Sequence, residues 1–221
     1  MCFSAEASFI VGGTLLIIGV ATIRKTHHKQ DIIIALIPLI FATQQIIEGF
    51  LWISLINNSM LHAQFWLSNI YGVIIGVIWP FYAPFAVYKA ETNARRKKIL
   101  GSIVVVGLGL SAYTILGLIN QPIVTQIINY SISYKHEVAG YQFVIVMYLL
   151  ATCVPFIFSS YRHLSIAGIV LTIGFFVAFL TYTETFASVW CFFAAITSSL
   201  IYLYITRRIN NPLIPVPSGI S

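Results

Sequence analysis

Glu48 is the residue of this chain that most demands an explanation. It is an ionisable group inside a long apolar stretch, with no basic residue near it in sequence. A carboxyl group at membrane depth costs about 2.5 kcal/mol or more, and such a group faces the interior of a helix bundle or a cavity. Gln44 and Gln45 precede it by four and three positions and Trp52 follows by four. In a helix these spacings set all four side chains on one stripe. A carboxyl group beside two amides can serve as a general base or a ligand, with Gln44, Gln45 and Trp52 lining a pocket. The same group can also act as hydrogen-bonding glue between helices.

Two further sets of residues fall at the same end of the chain's apolar stretches. Thr181, Glu184, Ser188, Cys191, Ala195 and Ser198 recur at spacings of three and four, giving one small, polar helix face. That face suits either a pocket or a tight helix seam. At the N-terminus, Cys2, Ser4 and Glu6 precede or begin the first apolar stretch. With Met1 removed, Cys2 would carry a thiol and a free amine, a pair able to chelate a metal or act as a nucleophile. Cys2 and Cys191 as thiolates with Glu48 as carboxylate would suit copper or zinc. A Cys2–Cys191 disulfide competes with that assignment. Of the five histidines, His62 and His136 are placed outside, and His136, beside Glu137 and near Tyr134, is the better ligand or base. Histidines buried within apolar stretches are absent, so a bis-histidine haem is not expected. The last two stretches hold no lysine for retinal.

The elements that must position these residues follow from composition. Of 221 residues, 59% are hydrophobic and 8% charged. A soluble domain devotes about a quarter of its residues to charge, so lipid is the solvent that fits. A spanning helix needs about 20 apolar residues. Seven stretches qualify: 5–23, 32–55, 65–88, 99–119, 141–160, 164–182 and 186–206. The expected fold is therefore an all-α integral membrane bundle of seven helices, one domain over 1–209 with a Pro-containing tail over 210–221. Pro80, Pro84 and Pro155 predict kinks.

Charge gives the orientation. Arg24, Lys25, Lys29, Lys89, Arg95, Arg96, Lys97, Lys98, Arg162, Arg207 and Arg208 all fall on one side of seven spans, and Lys135 alone on the other. The basic side is cytoplasmic, which puts the N-terminus outside and the C-terminus in the cytoplasm. The net charge of +6 is not a nucleic-acid signature, because the bases sit in short runs between apolar stretches rather than along a continuous track. The residues 120–140 form the longest outer loop, long enough to act as a lid.

The opening Met-Cys-Phe-Ser-Ala-Glu-Ala-Ser, the stretch Gln44-Gln45-x-x-Glu48-Gly49-x-x-Trp52 and the run Ser188-Val-Trp190-Cys191-Phe-Phe-Ala-Ala carry a resemblance. Over nearly its whole length the chain resembles a family of small bacterial multi-pass membrane proteins with no assigned activity. The resemblance implies a bacterial inner-membrane protein in which Cys2, Glu48, Trp190 and Cys191 are signature positions. Three functions remain open at this point. One is an outward-opening site of Cys2, Glu6, Gln45, Glu48, Glu184 and Cys191 that binds metal or acts as an enzyme on a lipid or other amphiphile. Another is a transporter or sensor in which Glu48 responds to protons or ions. The third is a structural or assembly subunit.

Overall fold

The computed structural model describes residues 4–57, 61–136, 140–181 and 185–210. Helix α1 (Ala5–Arg24) starts where Ser4 Oγ accepts the Ala7 N–H at 3.2 Å, a side-chain cap on an otherwise unpaired donor. It packs along α3 (Ile37–Asn57), which is led in by a tight turn over Lys29–Asp31 and the short α2 (Ile32–Ala35). Next come α4 (Leu61–Val73), a wide π turn over Ile74–Ile78, α5 (Trp79–Ala90) and α6 (Ala94–Asn120). After the strands β1 (Val124–Ile128) and β2 (Ser131–Lys135), the chain continues as α7 (Tyr141–Thr152), α8 (Val154–Ile157), α9 (Arg162–Thr181) and α10 (Phe186–Asn210). Helix α10 closes the bundle against α9, α1 and α3.

Among the described residues, five helical stretches are long and apolar enough to cross a membrane. They are Ala5–Arg24, Lys29–Asn57, Leu61–Ala90, Ala94–Asn120 and Arg162–Thr181. Tyr141–Ile157 is an apolar helix of shorter reach. The bundle has an apolar core that also encloses polar side chains, and its outer surface is apolar. Ser8, Gln44, Gln45, Glu48, Ser111, Thr152 and Ser198 are buried, while Ile10, Ile17, Ile119, Ile173 and Leu180 are exposed. Water would penalise so large an apolar surface; hydrocarbon does not.

The helices are irregular next to two of the expected prolines, Pro80 and Pro155, whereas Pro84 lies within the unbroken helix α5. The π turn sits immediately before Trp79-Pro80, and the helix of Tyr141–Ile157 breaks at Cys153, two residues before Pro155. Pro84 has no N–H to give the Pro80 carbonyl. Helix α6 approaches that carbonyl closely at Gly107, where a Cβ would collide with it. Ser111 Oγ donates to the Val77 carbonyl at 2.6 Å, tying α6 to the end of the π turn.

One expectation needs correction: the fold is not purely α. Part of the loop 120–140 is an antiparallel hairpin, with Ile128 paired to Ser131 around the two-residue turn Asn129-Tyr130. Both turn residues have positive φ, 49° and 58°, the geometry that matches the twist of paired strands. The hairpin folds onto the helices instead of standing free. Thr125 and Ser68 share a hydroxyl hydrogen bond at 2.8 Å, and Ile123 N–H donates to Asn69 Oδ1 at 3.1 Å. Ile132 is fully buried against Ala5, Leu51 and Trp52.

Candidate functional site

The hairpin end of the bundle holds a cavity of about 500 Å³. Its walls are Tyr71, Gly72, Ile75 and Gly76 from α4 and the π turn, and Tyr113, Thr114 and Gly117 from α6. Tyr134 and His136 enter from the hairpin, Tyr141, Val144 and Tyr148 from α7, and Phe175 and Phe186 from α9 and α10. The rings brace one another. Tyr71 and Tyr134 stack at 4.4 Å, Phe175 and Phe186 meet edge-on at 5.0 Å, and Tyr148 meets Trp190 edge-on at 5.5 Å. Such contacts fix aromatic side chains as walls.

Among the described residues, His136 is the one imidazole in this cavity. Its Nδ1 is buried, with no hydrogen-bond partner among the described residues. Its Nε2 lies over Gly117, 3.1 Å from where a Cβ would stand. Glycine at this position is thus what lets the imidazole lie against α6. Among the described lining residues there is no Asp, Glu, Lys or Arg. The chemistry on offer is that of hydroxyls, amides and one imidazole in a mostly apolar space.

The stripe read from the sequence is buried and contributes no lining residue to this cavity. Gln44, Gln45, Glu48 and Trp52 are all buried. Gln45 Nε2 donates to Glu48 Oε2 at 3.3 Å, and Trp79 Nε1 donates to Gln44 Oε1 at 2.8 Å. The amides therefore tie α3 to itself and to α5. Trp52 joins the stripe to the cavity wall, because it shares a cluster with Leu51 and Ile132 against which Tyr134 packs. Its indole N–H is buried without a partner among the described residues.

The remaining expected site residues do not all converge there. Glu6 is exposed in the first turn of α1, where a negative charge complements the helix dipole. Trp190 is buried, donates from Nε1 to the Leu171 carbonyl at 3.4 Å and backs the cavity through Tyr148, Phe175 and Phe186. Thr181 is exposed and Ser198 buried. Cys2 and Glu184 lie outside the described residues, as do the side chains of Ser188 and Cys191. Gly72 and Gly76, four residues apart, receive the side chains of Ile123 and Thr114 respectively.

Sequence reasoning missed a second polar cluster at the opposite end. Asp31 and Arg208 pair at 2.9 Å, with side chains 2% and 4% exposed. Tyr204 donates to Asp31 Oδ1 at 3.0 Å and accepts from Arg208 Nη1. The Arg208 guanidinium also covers the Tyr161 ring at 4.6 Å. Glu91, also buried, accepts backbone N–H bonds from Thr92, Asn93 and Ser160 at 2.8–2.9 Å. Arg96 Nη1 donates to the carbonyls of Phe158 and Ser159. Together these contacts close that end.

Apolar helices of membrane-crossing length, packed around buried polar groups and a cavity, define a helical bundle of membrane-protein type. A family model described as a family of unknown function (DUF6629) matches residues 1–214, and the chain belongs to that family. No curated protein and no solved structure matches it.

Proposed function

We propose that this is a seven-span membrane protein, N-terminus outside, that binds a neutral amphiphile carrying a hydroxyl group in the His136 cavity. The observation that carries the reading is a roughly 500 Å³ cavity whose mostly apolar, aromatic lining includes the His136 imidazole and five tyrosines. The imidazole nitrogen is a donor in one tautomer and an acceptor in the other. A hydroxyl satisfies either. The absence of charged residues among the described lining favours a neutral head over a phosphate or an ammonium, since a buried charge needs a partner. The aromatic walls suit the apolar body of such a ligand.

The charge bias supports the orientation, because the hairpin end carries Lys135 alone while the closed end gathers the other eleven bases. A saturable binding measurement tests the function. Titration of para-hexylphenol into protein in phosphatidylcholine nanodiscs is expected to show stoichiometric heat beyond that of empty discs. His136→Phe should weaken it about tenfold, equal to about 1.4 kcal/mol. Heat indistinguishable from that of empty discs would remove the reading.

A second reading, transport of the same ligand class, draws support from the asymmetry of the bundle. The cavity lies at the hairpin end, while Asp31, Arg208, Tyr204 and Tyr161 fill the other. Glu48, buried on the α3 stripe, is then the proton-responsive group. Uptake of labelled alcohol into proteoliposomes that depends on a proton gradient, and is abolished by Glu48→Gln, would establish transport. Binding without uptake would restrict the protein to a sensor or carrier role.

A further inference from the structure

We infer that the cavity is filled from the side, by a membrane-resident long-chain alcohol whose hydrocarbon tail lies in a groove between α6 and α7. The inference rests on the amphiphile-binding reading above. A second hollow, of about 350 Å³, is walled by Val106, Gly109 and Leu110 of α6 and by Phe143 and Met147 of α7. Tyr113 and Val144 line both this hollow and the His136 cavity, so the two hollows adjoin at these residues. The rim faces outward: Phe143 is 67% exposed.

The residues of α6 say what the hollow is for. Gly109, Tyr113 and Gly117 are spaced by four and form one row along the helix. The row runs about 12 Å, from the groove, past Tyr113, to His136. Glycine weakens a helix relative to alanine, so each glycine in it calls for a reason. Gly107 admits the Pro80 carbonyl and Gly117 admits the His136 ring. At Gly109 a Cβ would meet nothing within 4 Å. In a bilayer such a space is filled by hydrocarbon, and its wholly apolar walls other than Tyr113 offer nothing to a polar head. The occupant that fits both hollows has its tail against Gly109 and its hydroxyl at His136, passing Tyr113 and Val144 where the hollows adjoin.

Filling the groove tests this. Gly109→Leu places a side chain in open space and raises helix propensity, so the fold is expected to persist; Val106→Trp, on the same rim, provides a second block. Wild type and both variants are placed in phosphatidylcholine nanodiscs with two probes: a photoreactive analogue of oleyl alcohol dissolved in the bilayer, and water-soluble para-hexylphenol. The expected result is that both blocks cut oleyl-probe labelling of Tyr148 about tenfold while para-hexylphenol affinity stays within about twofold of wild type. Unchanged oleyl labelling of Tyr148 in variants that bind para-hexylphenol normally would overturn lateral entry and leave the cavity reading standing. Failure of wild type to bind either probe would overturn both.

Discussion

Asp31 and Arg208, one before the long helix α3 and the other in the last turn of α10, meet as a buried ion pair with Nε and Oδ2 2.9 Å apart. The contact is an ion pair without an aligned hydrogen bond from Nε. Tyr204 supplies the hydrogen bonding by donating to Asp31 and accepting from Arg208. The lead-in to the second long helix and the last turn of the final one are thereby joined at the end opposite the hairpin.

Removing one partner of a buried pair leaves an uncompensated charge and costs about 3–5 kcal/mol, whereas replacing both with apolar groups is often neutral. Asp31→Leu and Arg208→Met are therefore each expected to lower the Tm of the detergent-solubilised protein. The double variant is expected to lie closer to wild type than either single one. Additive losses would mean that the two side chains act independently.

Gln44 supplies the acceptor for the buried Trp79 indole at 2.8 Å. Gln44→Leu strands that N–H and is expected to destabilise the protein by about 1–3 kcal/mol, read as a lower midpoint in thermal unfolding. Trp79→Phe in the Gln44→Leu background removes the stranded donor. It should then cost less than it does alone.

Gly117→Ala separates binding from stability. The added methyl would stand 3.1 Å from His136 Nε2, so the imidazole must shift. Helix propensity, by contrast, favours alanine by about 1 kcal/mol. The expected outcome is an unchanged or raised Tm with para-hexylphenol affinity reduced severalfold in calorimetry. Equal affinity would show that the position of His136 does not matter for binding.

Tyr130 sits at the hairpin tip with φ 58° and is 82% exposed. A side chain held in this left-handed region costs about 1 kcal/mol, and glycine adopts it freely. Tyr130→Gly is expected to raise hydrogen-exchange protection of the Val124–Ile128 and Ser131–Lys135 amides. Reduced protection would mean that the exposed ring, rather than the turn geometry, holds the hairpin.

The helical segments were legible because hydrocarbon thickness sets a length, and Pro80 and Pro155 announced irregular turns beside them through backbone chemistry. The Glu48 stripe was legible for a related reason: helical spacing alone puts Gln44, Gln45 and Trp52 beside it. The hairpin was hidden because its buried positions include Thr125, Ser131 and Ser133. An apolar alternation would have revealed it; these strands read as polar loop. Asp31 and Arg208 were hidden because their pairing is made only by the tertiary fold, and Arg208 already had a sufficient explanation as a cytoplasmic anchor. His136 was found as an outer-side imidazole. Its tyrosine surroundings, drawn from α4, α6, α7 and β2, have no common spacing in sequence.

The central claim is that a hydroxyl-bearing amphiphile occupies the His136 cavity, and covalent mapping tests it most directly. Protein in phosphatidylcholine nanodiscs is irradiated with a diazirine-bearing octanol, and the labelled residues are located by peptide mass spectrometry. Labels on His136, Tyr113 and Tyr148, displaced by excess octanol and lost in a variant that fills the cavity at Gly117, are the expected result. Labels confined to outward-facing residues such as Ile10, Ile17, Ile173 and Leu180, unaffected by excess octanol, would contradict it.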